Sequence, residues 1–172
     1  MLVWRKADMV DVHTVFSDLS PVSAEEIEGS YGDWWKALPK VLEMLSIPGS
    51  RTDALVDESG TPLAIFGHFP SREAGNRVTW FVFSNTFVAR GVAGTRACRK
   101  MVQGLETFYP SDTFHSMTTS GHHERSRWFS MLGYQYVGIR AGGLHHYVVL
   151  KSDKSSDLGH FDQYNPTNPR AS

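Results

Sequence analysis

The pattern of apolar and polar positions divides the chain into short elements around one central stretch. Val78-Thr-Trp-Phe-Val-Phe83 is an unbroken β-branched and aromatic run, the pattern of a strand buried on both faces. Ser84-Asn85-Thr86 closes it with small polar residues that hydrogen-bond their own backbone. Gly91 and Gly94 then open a helix with Cys98, Met101, Val102, Leu105, Phe108 and Tyr109 on one stripe, and Pro110 stops it. Such a helix start leaves backbone N–H groups without intrahelical acceptors at the positive end of the dipole. That is a seat for a phosphate or pyrophosphate.

Upstream, Leu2 to Lys6 reads as a short strand, and Asp8 caps a helix from Met9 to Leu19. Ser23-Ala-Glu-Glu26 has the form of a capping box and starts a short helix, interrupted between Gly29 and Gly32. Trp34 and Trp35 lead a run with Leu38, Val41, Leu42 and Leu45 on one face, and Pro39 is expected to kink or divide it. The two tryptophans are read as core, with a place at a substrate mouth as the alternative. Thr52–Asp57 and Pro62–Phe69 form a hairpin across Glu58-Ser-Gly-Thr61.

Downstream come a strand at Thr113–Thr118 and a short helix His123–Leu132 ending at a left-handed Gly133. Strands follow at Tyr134–Ile139 and Leu144–Leu150, joined by a turn at Arg140–Gly143. From 151 onward the chain is polar, carries Pro166 and Pro169, and loses periodicity. The expectation is one domain over 1–150 and a loosely ordered tail over 151–172, with Phe161 and Tyr164 as partner contacts.

Composition narrows the class. A chain of 172 residues that is 41% hydrophobic buries a substantial single core. A net charge of −1 exerts no long-range pull on nucleic acid or anionic membrane, so neither is expected as a partner. A lone Cys98 forms no internal disulfide, fits a reducing compartment and sits on the apolar stripe as a small hydrophobe. No apolar run approaches the ~20 residues of a membrane span, and Met1 to Asp8 lacks the features of a signal peptide. These readings point to a soluble cytoplasmic protein.

The strand–glycine–helix order resembles the acyl-coenzyme A site of the GNAT N-acyltransferase superfamily. In that family the loop after the fourth strand reads Arg/Gln-x-x-Gly-x-Gly/Ala. Val88-Ala89-Arg90-Gly91-Val92-Ala93 supplies the Gly-x-Ala half at Gly91 and Ala93, with Val88 in place of Arg or Gln. Arg5-x-Ala7 resembles the family's opening, and Arg127-Trp-Phe-Ser-Met-Leu-Gly-Tyr134 its closing Leu-Gly-Phe/Tyr signature. The resemblance implies an α/β (α+β) fold: a mixed, mostly antiparallel sheet of about seven strands, splayed at the fourth and fifth strands and flanked by helices. It implies acetyl-coenzyme A or coenzyme A as co-substrate, bound by Phe83, Val88, Ala89, Arg90, Gly91, Val92, Ala93, Gly94 and His122. The Trp-Phe-Val strand and the Arg-Trp-Phe-x-x-Leu-Gly-Tyr run look most like divergent GNAT-like proteins of tailed bacteriophages, which would make a phage or host protein a further partner.

The chemistry departs from the family. Thioester aminolysis needs a base for the amine, oxyanion stabilisation and an acid for the departing thiolate. The family's usual Glu is absent from Val78–Phe83, and Phe129 stands where its usual Tyr would be. Candidate substitutes are Ser84 and Asn85 at the strand end, and His122, His123 and Glu124 at the short helix. The pairs His122-His123 and His145-His146 do not imply a metal: His145 and His146 face opposite ways on a strand, and no Cys or closely spaced carboxylate completes a site. Two functions stay open: an acyl-coenzyme A-dependent N-acyltransferase acting on an unknown amine, or a catalytically inactive GNAT-fold binding or virion-associated module.

Overall fold

The structure, a computed structural model, describes residues 1–149. The expected tail from 151, with Phe161 and Tyr164, lies outside the described residues.

Seven strands form one sheet: β1 (Val3–Lys6), β2 (Arg51–Val56), β3 (Pro62–Pro70), β4 (Asn76–Phe83), β5 (Thr113–Thr118), β6 (Gln135–Ile139) and β7 (His145–Val149). Their spatial order is β1-β2-β3-β4-β5-β7-β6, and every pairing is antiparallel except β4 with β5. The helices are α1 (Met9–Ser17), α2 (Pro21–Tyr31), α3 (Trp34–Leu45), α4 (Asn85–Ala89), α5 (Gly91–Phe108) and α6 (His123–Leu132). A single 3-10 turn at Ala141–Gly143 joins β6 to β7. No helix among the described residues is long and apolar enough to cross a membrane.

Alternation along the central strands builds two cores, because successive side chains face opposite ways. Ile65 and Val82 meet Val12, Val15, Phe16, Ile27 and Val41 of α1, α2 and α3 on one face. Phe66, Phe83 and Phe114 meet Cys98, Val102, Leu105 and Phe129 of α5 and α6 on the other. Cys98 is fully buried, and burial pushes its thiol far up, so it stays an inert apolar filler. Phe108, expected on the same stripe, lies at its edge and is exposed.

Local chemistry sets the helix ends. Asp8 caps α1 in a reciprocal box with Asp11, and Arg5 clamps the Asp11 carboxylate with bonds of 2.6 and 2.7 Å. The cap of α2 is Ser20 rather than Ser23. Its hydroxyl accepts from Ser23 N–H at 3.2 Å, Pro21 takes the first helical position, and the helix runs through Gly29 to Tyr31 before ending at Gly32. Pro39 does not divide α3, which runs unbroken from Trp34 to Leu45. A proline deprives the carbonyl four residues back of its partner. Here that residue is Trp35, which is itself 56% exposed. Trp34 is likewise exposed, so neither tryptophan is core.

Ser84 does not simply close β4. Its hydroxyl accepts from Phe87 N–H at 3.1 Å and caps α4, an extra turn of helix before α5. Gly133 takes the left-handed conformation at φ 103° and ends α6, as its position after Leu132 predicts.

Candidate functional site

The parallel strands β4 and β5 pair only over Asn76–Thr79 and Thr113–Ser116. Beyond that point they part, and the peptide groups on their facing edges need other partners. The start of α2 supplies some. Ser20 N–H donates to Phe83 O at 2.8 Å, and Ser23 Oγ accepts from Phe83 N–H at 2.9 Å. From the same helix Glu26 reaches the opposite strand, accepting from the Thr118 hydroxyl and from Thr119 N–H at 2.6 Å. Thus α2 spans the mouth of the split.

On one side of the split lies a cleft of about 480 Å³. Its rim includes Ser20, Phe83, Val88, Gly91, His122 and Arg125. Its aromatic wall is a stack of Phe83 on Phe87 at 4.4 Å, with Trp128 edge-on to Phe83 at 5.0 Å. Gly91 opens α5 with φ 50°, a left-handed conformation that disfavours any side chain. Gly94 is needed for a different reason: a Cβ there would come within 2.8 Å of the Phe87 ring.

On the other side is a smaller cavity of about 150 Å³. It is bounded by Tyr31, Met44, Trp80, Phe81 and Phe129 with one carboxylate, Glu26. Among the described residues Arg125 is the one that lines both spaces. Its side chain is only 9% exposed. Its Nη2 donates to Val22 O at 3.3 Å and stands 3.4 Å from Glu26, while Nε has no partner among the described residues. Burial lowers its pKa, opposed by the charges of Glu26 and Glu25.

Of the residues expected to hold coenzyme A, four line the cleft: Phe83, Val88, Gly91 and His122. Ala89, Val92 and Ala93 are exposed on the α4–α5 corner, outside the cleft lining. Ala93 N–H is closed onto Arg90 O at 3.1 Å. Gly94 is buried behind Phe87. The Arg90 guanidinium is held by Asp57 at 3.0 Å.

The five candidate catalytic residues separate in the same way. The Ser84 hydroxyl is committed to its cap, and Asn85 Nδ2 ties α4 to Asp18 and Leu19 at 3.0 and 3.1 Å. His123 is exposed and not part of the cleft lining, whereas His122 and Glu124 line it, with Glu25 3.7 Å from His122. Phe129 is buried, stacked on Tyr147 at 4.4 Å, and carries no proton to give.

The sequence pattern does not single out Ser20, Arg125 or Trp128, and it marks Glu26 only as half of a capping box. A signal for Ser20 exists, since Ser before Pro is a helix-start pair. Nothing local marks Arg125, whose burial depends on α2 lying over it.

Among the described residues no group of three or more His, Cys, Asp or Glu is placed to hold a metal ion. His145 bonds the Tyr136 hydroxyl at 3.3 Å, and its neighbour His146 points into a buried chain. Arg140 Nε donates to His146 Nδ1 at 3.1 Å, which fixes the direction of the bonds beyond it. His146 Nε2–H therefore donates to His115 Nδ1 at 3.0 Å, and His115 Nε2–H to Asn76 Oδ1 at 2.8 Å.

Neither a protein-family model nor a curated protein sequence matches the chain. Solved structures do. A chimera of the Vibrio cholerae spermidine N-acetyltransferase SpeG with hSSAT superposes with a TM-score of 0.67 at 10% identity, covering 88% of this chain and 96% of its own. AAC(6')-Ib in complex with paromomycin and acetyl-CoA gives 0.66 at 13% identity over 92% and 99%. An acetyltransferase from Thermus thermophilus gives 0.65 at 18% identity over 86% and 96%. This chain has the GNAT fold. The split between β4 and β5 is the feature of that fold that the sequence resemblance anticipates, and the cleft opens beside it.

Proposed function

We propose that the chain is an acyl-coenzyme A-dependent N-acyltransferase, most simply an acetyltransferase, with a divergent active site. The observation that carries this reading is the cleft at the β4–β5 split, where Phe83, Val88, Gly91 and His122 come together. The GNAT-fold neighbours include AAC(6')-Ib in complexes with acetyl-CoA and with coenzyme A, and spermidine and aminoglycoside N-acetyltransferases, which supports a small polyamine or amino-sugar as one class of acceptor.

In this reading the pyrophosphate sits at the α4–α5 corner against the Gly91 start of α5, since the Arg90 and Ala93 amides of the expected Ala89–Gly94 set are closed onto Phe87 O and Arg90 O. The pantetheine arm runs past Phe83, Phe87 and Trp128, which exclude water from it. The amine enters from the smaller cavity, where Glu26 supplies the one carboxylate and Trp80, Phe81 and Tyr31 the apolar wall. His122, exposed at the cleft rim, takes the proton the amine sheds and passes it to solvent. With Phe129 in place of a phenol, catalysis rests on positioning more than on proton transfer.

Calorimetry with acetyl-coenzyme A tests the reading. The parent protein is expected to bind, and Gly91→Glu to lose binding, because it forces a side chain onto φ 50° and sets a carboxylate against the phosphate. A parent that does not bind, or a variant that binds as tightly, sinks it.

A second reading has a specific observation in its favour. Both peptide groups of Phe83, at the edge of the split, are already taken by Ser20 and Ser23, so less of the β4 backbone is open to a ligand. A GNAT-fold binding module fits that closure, and the likeness to phage proteins would then point to a phage or host protein partner. Coenzyme A binding without turnover over a broad amine panel is the outcome that selects it.

A further inference from the structure

The junction between the two cavities is a single side chain. The amine and the thioester must meet where the cofactor cleft opens into the smaller cavity, and among the described residues Arg125 alone lines both. It lies one helical turn before Phe129, the position from which the family's thiolate acid is missing, and residues four apart share a helix face. Its charge is held in place from α2, by Val22 O at 3.3 Å and by Glu26 at 3.4 Å. Glu26 in turn spends its oxygens on Thr118 and Thr119, which makes it a firm anchor. What remains is a buried Nε–H donor with no acceptor among the described residues. What counts for a ligand is the residue's place: a molecule spanning the junction must pass Arg125, the one cation that lines both cavities among the described residues.

We propose that Arg125 is a catalytic residue of the transfer step, its guanidinium donating to the coenzyme A sulfur as the thioester breaks. This rests on the acyltransferase reading. The amine lone pair attacks the thioester carbonyl carbon and forms the C–N bond. The C–S bond then breaks, and its electron pair leaves on sulfur as a thiolate. Arginine stays protonated throughout, so it stabilises that charge without giving up a proton. The proton shed by the amine goes to solvent, and the thiolate takes one from water on release. A fixed cation thus does by electrostatics what a phenol at position 129 would do by proton donation. Glu26 is a positioning residue that acts through Arg125.

The test needs no acceptor amine. Coenzyme A bound to the parent protein is titrated with pH, and the thiolate is followed by its ultraviolet absorbance. A cation within about 4–6 Å is expected to place the bound thiol's pKa about one to three pH units below that of free coenzyme A. Arg125→Met should return it to the free value while the dissociation constant at low pH, where the thiol is protonated in both, stays within about threefold of the parent's. Arg125→Lys should keep the lowered pKa. A parent-bound thiol that titrates like free coenzyme A overturns the assignment, as does a methionine variant that retains the lowered value. The parent measurement stands by itself if the methionine variant does not fold. Failure of coenzyme A to bind at all would instead remove the acyltransferase reading on which this one stands.

Discussion

At the scale of single residues, close approaches decide more than side-chain class does. The Trp80 ring lies across Gly67 at the β3–β4 pair, in the space that a Cβ would occupy. The same ring walls the smaller cavity. Gly67→Ala is therefore expected to push Trp80 aside, costing about 1–3 kcal/mol in urea unfolding. An unchanged midpoint would mean that the ring finds another seat. Residues of this kind are poorly legible in a sequence. Gly133 is readable because a Leu-Gly helix end has a local rule, while Gly67 looks like any glycine in a strand. Ser84 reads as a strand terminator and acts as a helix cap, since one hydroxyl chemistry serves both. Arg125 carries no local mark at all, because its burial comes from α2, about a hundred residues earlier in the chain.

At the scale of elements, the strands are legible almost residue for residue. β5 and α6 have the bounds that the pattern predicts, and β4 begins two residues early. Apolar patterning reports burial directly, and a strand buried on both faces shows it as an unbroken run. The helices are less transparent where two signals compete. Ser20-Pro21 and Ser23-x-x-Glu26 both announce a helix start three residues apart. The proline decides it, since its fixed φ suits the first helical position. That shift frees the Ser23 hydroxyl for Phe83 and turns Glu26 toward β5. What looks like a capping motif is the part of the chain that fastens the site. The turn after β4 misleads for a related reason. It is not one glycine loop but α4 followed by α5, and so fewer of its amides face the cleft than a bare helix start would offer.

At the scale of the molecule, three buried histidines tie stability to pH. Burial, then the Arg77 charge, brings His68 from the ordinary 6.5 down to about 4. Burial and the neighbouring His146 bring His115 to about 3, and burial with Arg140 brings His146 to about 4. All three rings are thus neutral in the folded protein at pH values where the unfolded chain has begun to take up protons. Their linkage leaves stability intact above about pH 6.5 and removes it as pH falls toward about 4. The urea midpoint is expected to drop steadily across that window. A flat profile there would mean that the rings titrate as exposed ones do.

The split sheet has a mechanical consequence. Two half-sheets joined only along Asn76–Thr79 and Thr113–Ser116 would swing like the blades of shears. Helix α2 is bolted to one blade through Ser20 and Ser23 and to the other through Glu26, so the opening is held at one setting. On the acyltransferase reading that setting works as a gauge for the acyl group, calibrated by bolts of which Ser20 and Glu26 also line the gap. Glu26→Ala is expected to raise turnover of butyryl-coenzyme A relative to acetyl-coenzyme A, and an unchanged ratio would show that the blades are stiff without their bolt. Chain-length tolerance would then be a property of hinge compliance, set by how firmly α2 ties the two half-sheets together.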